Sequence, residues 1–298
     1  MIELIVACIP AYNEERELGP VIIKASKVVD KIIVCDDGSS DLTSEVARKL
    51  GCELIVHSQR KGKGNAIKDL FVKALELGAD IIVTLDGDGQ HHPEDIPNLI
   101  NPIIKDDADM VVGSRFLGNS KEVPFYRIIG NNMFTSFTRL MSNNNFKDLS
   151  DSQSGFRAYS KKVLEYVKVY ESGMSIDSEI LVSMSDGSFK VVEIPIQVSY
   201  NGNEGSTFGP INHGFQVFYF IFKMMSEQKP FLFFGLPGLV MVFVSFFLGV
   251  RVVNIFLESG DVAIGTSLIS VGIFVVGFIA ITTAIILKVI VNNIKKNN

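Results

Sequence analysis

Two carboxylates one residue apart, Asp86 and Asp88, follow an apolar run in the stretch T-L-D-G-D-G-Q at residues 84–90. In an extended or turning backbone such a D-x-D pair lies on one face, at a separation that suits one hard cation. Mg2+ or Mn2+ takes oxygen ligands from one or two carboxylates and keeps positions for phosphate oxygens and water. Gly87 and Gly89 permit tight turning and close approach of a ligand, and Gln90 adds an amide oxygen. A bare D-x-D is more often a solvated acidic turn. Its place after a buried strand, among other polar strand ends, tips the balance toward binding. His91 and His92 are weaker candidates. Adjacent side chains project differently, and His92 before Pro93 suits entry into a helix.

Four other loops share this character: P-A-Y-N-E-E at 10–15, D-D-G-S-S-D at 36–41, Q-R-K-G-K-G-N-A at 59–66 and G-S-R-F at 113–116. A carboxylate at 36 or 37 can accept hydrogen bonds from a ribose or a base edge. It can equally make an Asx-turn before the helix that Asp41 starts. The binding role is favoured for one of the pair. Lys61 and Lys63, among glycines, suit phosphate neutralisation, against a solvated basic loop as the alternative. No G-x-G-x-x-G occurs, and K-G-K-G-N at 61–65 lacks the spacing of a phosphate-binding P-loop. Together the loops describe a metal-dependent site for a nucleotide diphosphate, with the metal neutralising the leaving group.

The elements that must position these loops alternate. Short β-rich runs at 2–9, 31–35, 53–57, 80–85 and 109–113 are separated by helical patterns at 14–29, 41–50, 65–77 and 93–104. Asp41 and Pro93 suit helix starts, Gly51 and Gly78 helix ends. Apolar strands alternating with helices predict an α/β fold with a mostly parallel sheet covered on both faces. Ligands of such sheets bind at the carboxyl ends of the strands, where all five loops lie. Beyond residue 116, residues 125–141 and 215–225 have an amphipathic helical pattern. Residues 151–160 lead into a helical stretch to about 170, residues 176–185 read as helix and residues 190–200 as a further strand.

Past residue 229 the chain changes character. Residues 231–250 and 262–287 carry no charged side chain. A bilayer core of ~30 Å needs ~20 apolar residues in a helix, so two spans are expected, joined by a linker from Arg251 to Asp261. Lys223 and Lys229 precede the first span, and Lys288, Lys295 and Lys296 follow the second. By the positive-inside rule both termini, and the catalytic domain with them, are then cytoplasmic. The division is 1–228 for the catalytic domain with its amphipathic segments and 229–298 for the membrane hairpin. The N-terminus lacks the basic region of a signal peptide. Cys8, Cys35 and Cys52 sit in apolar runs without zinc-site spacing and read as reduced thiols. A net charge of −5 gives no hint of nucleic-acid binding.

Six stretches in order, the loops above together with D-G-D-G-Q-H at 86–91 and S-G-F-R-A-Y at 154–159, resemble the family 2 glycosyltransferases of GT-A fold. Within them the chain is similar to the polyprenyl-phosphate branch. The resemblance covers about residues 1–200, and paired C-terminal spans occur in part of the family. It implies transfer of a sugar from a nucleotide diphosphate, UDP- or GDP-linked, to a polyprenyl (dolichyl) phosphate in the bilayer, for glycan assembly. Another membrane lipid or a polysaccharide is the alternative acceptor. Carried over residue by residue, it implies that Pro10, Tyr12, Glu14 and Asp37 hold the nucleoside, with Asp36, Lys63 and Gly87 beside the donor. Asp86, Asp88 and Gln90 hold the metal. Asp88, Asp151 and Arg157 are the catalytic candidates, and Arg115 and Arg127 face the acceptor phosphate. Asp177 and Glu179 have a sugar-hydroxyl role or a helix-surface role. One departure matters: where the mannose-transferring branch has R-x-x-G-x-S-K, this chain has Y-N-G-N-E-G-S-T-F-G-P at 200–210, with Thr207 in place of the lysine. UDP-glucose and UDP-N-acetylglucosamine therefore stand beside GDP-mannose.

Overall fold

The structure is a computed structural model that describes residues 4–117, 131–132, 135–136, 138–139, 142, 145–167, 176–185, 187–198, 230–261 and 263–297. The chain divides into two compact units, Met1–Glu204 and Gly205–Asn298. The expected division at 228/229, the amphipathic segment 215–225 and the 200–210 stretch fall outside the described residues, as does most of 125–141.

In the first unit the expected alternation is present. Strands β1 (Ile5–Ala11), β2 (Lys31–Asp36), β3 (Glu53–Val56), β4 (Ile81–Thr84) and β5 (Met110–Ser114) are interleaved with helices α1 (Leu18–Ala25), α2 (Thr43–Lys49), α3 (Lys63–Glu76) and α4 (Ile96–Ile104), the last entered through a short 3-10 turn at Pro93–Asp95. Then come β6 (Arg157–Ser160), α5 (Lys161–Tyr166), α6 (Ile176–Met184) and β7 (Val191–Pro195). The sheet order is β3-β2-β1-β4-β6-β5-β7. All pairs are parallel except those of β6, which runs antiparallel to β4 and to β5.

Strand β6 is the element that hydrophobic pattern does not reveal. It has four residues, R-A-Y-S, begins with an arginine and ends with a serine, too short and too polar for a periodic signal. Its register nonetheless places Arg157 opposite Thr84 of β4 and Val112 of β5, so the S-G-F-R loop enters the centre of the sheet.

Alternate residues of each strand feed two cores. Val6 and Cys8 of β1 join Leu70 and Phe71 of α3, Tyr159 of β6 and Ile180 of α6 on one face. Ala7 and Ile9 join Leu18 and Ile22 of α1 and Leu99 of α4 on the other. Helix α1 is shorter than the 14–29 pattern, because the chain before it is held as a loop. Asn13, at φ 58, accepts the Ser40 N–H and donates its own N–H to Ser39 Oγ, and Glu14 donates its N–H to Thr43 Oγ1. Asp41, expected to start α2, stands one residue before its N-cap Leu42 and accepts the N–H groups of Thr43 and Glu15.

In the second unit, Phe231–Ser259 and Ile264–Ile290 have mean hydropathies of 2.4 and 2.6 over their most apolar windows, long and apolar enough to cross a membrane. The first forms a π-helical turn followed by α7 (Leu236–Ser259), the second lies within α8 (Ile264–Asn297). The expected linker from Arg251 is corrected here. Helix α7 continues through Arg251 to Ser259, and the turn is made by Gly260 at φ 74, whose N–H reaches the Phe256 carbonyl. The two helices meet through small residues. A Cβ on Gly238 would lie 2.7 Å from the Gly277 carbonyl oxygen, and one on Gly277 2.8 Å from that of Gly238. Ser270 donates to the Ser245 carbonyl at 2.8 Å. The glycine pairs within each segment lack small-x-x-x-small spacing, but Ser245/Gly249 and Ala280/Ala284 have it and lie on this contact between the helices, Gly249 facing Ser270 and Ala280 facing Gly238.

Candidate active site

Strands β1, β2 and β4 end side by side: Ala11 is level with Asp36, and Cys8 with Thr84. Tyr12, Asp37 and Asp86 therefore leave the sheet at one edge. Asp86 is the centre of the charged cluster there. Lys63, at the first turn of α3, places Nζ 2.6 Å from Asp86 Oδ1 and 3.8 Å from Asp177 Oδ2. Burial by itself would raise the Asp86 carboxyl, but the Lys63 ammonium, helped by other cations, outweighs it and holds the group down to about 2. Lys63 moves the opposite way: burial would lower it, and Asp86 and Asp177 push it above its ordinary value. Burial raises Asp177, with Lys63 and Arg157 opposing. Thus Lys63 sits among carboxylates, with Asp177 of α6 as a second partner that the helix-surface reading does not foresee.

Asp88 accepts the Gln90 N–H at 3.0 Å, closing the D-G-D-G-Q turn on itself. Gly87 is buried against β1, where an added Cβ would stand 3.4 Å from the Pro10 carbonyl oxygen. Gly155 of the S-G-F-R loop is tighter still. A Cβ there would lie 2.8 Å from Asp86 Oδ2 and 2.9 Å from Lys63 Nζ, while Thr84 Oγ1 donates to the Gly155 carbonyl. Gly155 is a site residue that sequence reasoning passes over. The glycine was visible, but its contact with Asp86 depends on the β4–β6 register. His91 is buried and stacked on Phe156 at 5.2 Å, its Nδ1 without a hydrogen-bond partner in the described structure. Burial lowers it to about 4, so it is neutral near pH 7.

The donor set suits a hard divalent cation. Asp86 and Asp88 are partly exposed oxygen donors at a strand end, Asp86 is held ionised, and Gln90 is adjacent. Among the described residues no group of three or more His, Cys, Asp or Glu side chains forms a closed metal cage. A cation held here would complete its coordination with the amide, water or a ligand's oxygens.

The second half of the expected site is different. Arg115 binds Asp151 bidentately, Nε to Oδ2 at 2.7 Å and an Nη to Oδ1 at 2.8 Å. Asp151 is 0 % exposed, and its N–H is held in turn by Glu193 of β7 at 2.7 Å. Arg157 is also 0 % exposed. Its Nε donates to the Ser154 carbonyl at 2.7 Å, one Nη to the Asp177 carbonyl at 2.6 Å and the other to the Ser152 carbonyl at 2.8 Å. Asp151 and Arg157, both expected to be catalytic, are buried in the scaffold, Asp151 gripping Arg115 and Arg157 gripping three backbone carbonyls. The physical reason is the β6 insertion, which buries the S-G-F-R loop and leaves its backbone carbonyls needing a donor. Arg127 lies outside the described residues.

Asp36 and Asp37 are likewise both engaged. Asp36 accepts the Ser39 N–H and the Ser44 hydroxyl, the Asx-turn alternative. Asp37 accepts the N–H groups of Lys61 and Gly62, each at 2.8 Å. Above them Arg60 lies 4.2 Å from the ring centroid of Tyr12, a cation–π pair, while Pro10 and the loop bearing Glu14 line the end of β1.

A mixed, mostly parallel sheet with an acidic D-x-D turn at its carboxyl edge defines a glycosyltransferase domain of GT-A type. The comparisons agree, and the chain belongs to glycosyl transferase family 2, whose model matches residues 6–167. It is 36% identical over 241 residues to a UDP-N-acetylglucosamine–dolichyl-phosphate N-acetylglucosaminyltransferase of Methanococcus voltae, covering 73% of this chain and 94% of that one. It is 33% identical over 195 residues to a dolichol-phosphate mannosyltransferase of Pyrococcus furiosus, covering 63% and 54%. In fold it is similar to glucosyl-3-phosphoglycerate synthase of Mycobacterium tuberculosis, solved with Mn2+, UDP and phosphoglyceric acid, with a TM-score of 0.58, 21% identity and 75% and 78% coverage.

Proposed function

We propose that the chain transfers a glycosyl group from a nucleotide-diphosphate sugar to a membrane polyprenyl (dolichyl) phosphate, with UDP-N-acetylglucosamine as the donor. The observation that carries this is the Asp86–Asp88 turn with Lys63 against it, in a family 2 chain that ends in two helices apolar enough to cross a bilayer. The Methanococcus voltae relative and the missing basic residues at 200–210 support UDP-N-acetylglucosamine over GDP-mannose.

Asp86 and Asp88, with Gln90, would hold Mg2+ or Mn2+, and the cation would supply charge neutralisation for the departing diphosphate. Lys63 adds a second positive charge on the same side. An oxygen of the lipid phosphate attacks the anomeric carbon, the bond from that carbon to the diphosphate oxygen breaks, and the nucleoside diphosphate leaves. The attacking phosphate is already an anion, so no side chain need take a proton, and rate comes from positioning and charge stabilisation. Arg115, oriented by Asp151, and Arg127 are the candidates to grip the acceptor phosphate. Tyr12, Glu14, Pro10 and Asp37 frame the nucleoside, Asp37 chiefly by holding the 61–62 backbone. The helix pair anchors the domain, with both termini cytoplasmic.

The test is a transfer assay in membranes containing the full chain, with Mn2+ or Mg2+, a polyprenyl phosphate and, in parallel, labelled UDP-N-acetylglucosamine, UDP-glucose and GDP-mannose. Lipid-linked label from UDP-N-acetylglucosamine is the expected result. Label from another donor corrects the sugar. No lipid-linked label despite donor binding would redirect the search to a different membrane lipid or polysaccharide acceptor.

A further inference from the structure

His57 follows β3 directly, and its N–H donates to the Asp36 carbonyl at 2.9 Å, so it continues the strand pairing. Its side chain is buried, 4 % exposed, between two carboxylates. Nδ1 is 2.7 Å from Asp37 Oδ1, and Nε2 is 2.9 Å from Asp69 Oδ2 on the second turn of α3. A neutral imidazole has one N–H. With one carboxylate on each nitrogen, only the doubly protonated ring donates to both; otherwise a lone pair faces a lone pair. The other groups that face this ring are the Cys35 thiol, 3.6 Å from Nε2, and the Lys61 loop, whose N–H shares Asp37 Oδ1. Burial, helped by the nearby carboxylates, pushes the Cys35 thiol up to about 12, so it adds no charge.

The carboxylate that His57 grips is the one that holds the loop bearing Lys63. Asp37 takes the N–H groups of both Lys61 and Gly62. Gly62, at φ 96, is the last residue before α3, and the next residue reaches Asp86. Asp69 lies further along the same helix. The loop is also pressed from below: Gly38, at φ 77, sits where a Cβ would meet the backbone of Gln59 and Arg60 at 2.7 and 2.8 Å.

We propose that His57 is a positioning residue for the donor half-site: held between Asp37 and Asp69, it fixes the 57–63 loop so that Lys63 stands against Asp86. The inference rests on the proposed donor site, not on the identity of the acceptor. His57 touches no substrate in this arrangement. It acts through Asp37 and through the helix that carries Lys63.

The test is made on the full chain in detergent or nanodiscs: binding of UDP with Mn2+ by calorimetry, which needs no activity, together with donor KM and kcat. His57→Ala is expected to weaken UDP–Mn2+ binding and raise donor KM by about tenfold or more, with a smaller change in kcat. His57→Asn places an amide N–H near the Nδ1 position and keeps the Asp37 contact, so it is expected to recover to within about threefold of the parent. His57→Gln keeps the Asp69 side and recovers less. Unchanged binding in folded His57→Ala, or equal behaviour of the Asn and Gln variants, overturns the proposal. If His57→Ala does not fold, the Asn–Gln comparison still decides. UDP–Mn2+ binding that depends on His57, in a chain that transfers to no polyprenyl phosphate, would leave this inference standing and sink the acceptor reading.

Discussion

The Asp86–Lys63 pair and the Arg115–Asp151 pair are both short ion pairs in motifs that look catalytic, yet they lie in opposite environments. The first is at the sheet edge, each side chain more than a quarter exposed. In the second, Asp151 is wholly buried and Arg115 mostly so. Next to the second pair, Arg157 spends its guanidinium on three backbone carbonyls. An ion pair at an open edge can trade partners with an arriving ligand. A buried one holds the chain together, because removing either member leaves the other charged and unsolvated. The same residue types thus stand at an open edge in one place and under cover in the other, where Arg115 alone of the buried group keeps part of its side chain exposed.

The comparison breaks first, if it is wrong, at Asp88. Asp88→Ala should lower turnover by about 10^3-fold or more, about 4 kcal/mol of transition-state stabilisation, while thermal unfolding shifts by no more than about 0.5 kcal/mol equivalent. Full activity in that variant would remove the metal site. At Arg157 the order of effects reverses. Arg157→Met should destabilise the domain by about 3–5 kcal/mol by orphaning the Ser152, Ser154 and Asp177 carbonyls beside a buried carboxylate, read by chemical denaturation. A stable but inactive Arg157→Met would instead return the residue to the chemistry.

A double-mutant cycle sharpens the contrast further. Arg115→Met and Asp151→Leu should each cost about 3 kcal/mol or more, while the double variant recovers part of the loss, a coupling of about 1–3 kcal/mol. Independent losses would mean that the pair is not structural. In the membrane hairpin, Gly238→Val should weaken helix pairing by about 1–2 kcal/mol, seen as reduced disulfide cross-linking between cysteines introduced across α7 and α8.

The smallest effect is in acid. The Asp86 carboxyl is depressed in the folded state to about 2 from 3.8; burial opposes the shift, but Lys63 outweighs it. A depressed carboxyl contributes stability that is present above its unfolded value and lost as pH falls through the folded one. Asp86 should therefore contribute a loss between about pH 4 and 2, and Asp86→Asn should remove that part of the acid slope in a denaturation series. An unchanged slope would show that Lys63 does not hold the carboxylate.

Much of the first unit was legible in the chain order because it rests on local signals. Apolar runs alternating with helical patterns placed strands β2–β5 to within a residue and β1 to within three, and the φ values of Gly51 and Gly78 match their reading as helix ends. The D-x-D turn was legible for the same reason, since its two acids and its glycines lie within four residues. The two apolar helices were legible from their length and lack of charge.

What the chain order could not decide is which distant polar groups meet. Asp151 was read as catalytic and finds Arg115, thirty-six residues away. Arg157 was read the same way and finds the carbonyl of Asp177. Gly155 comes against Asp86 only because a four-residue antiparallel strand slots between β4 and β5, and Gly238 against Gly277 only because the two helices cross there. Hydrophobic periodicity records what one element must bury. Whether a charge faces water or a buried partner depends on register between elements, and register is set when the core packs.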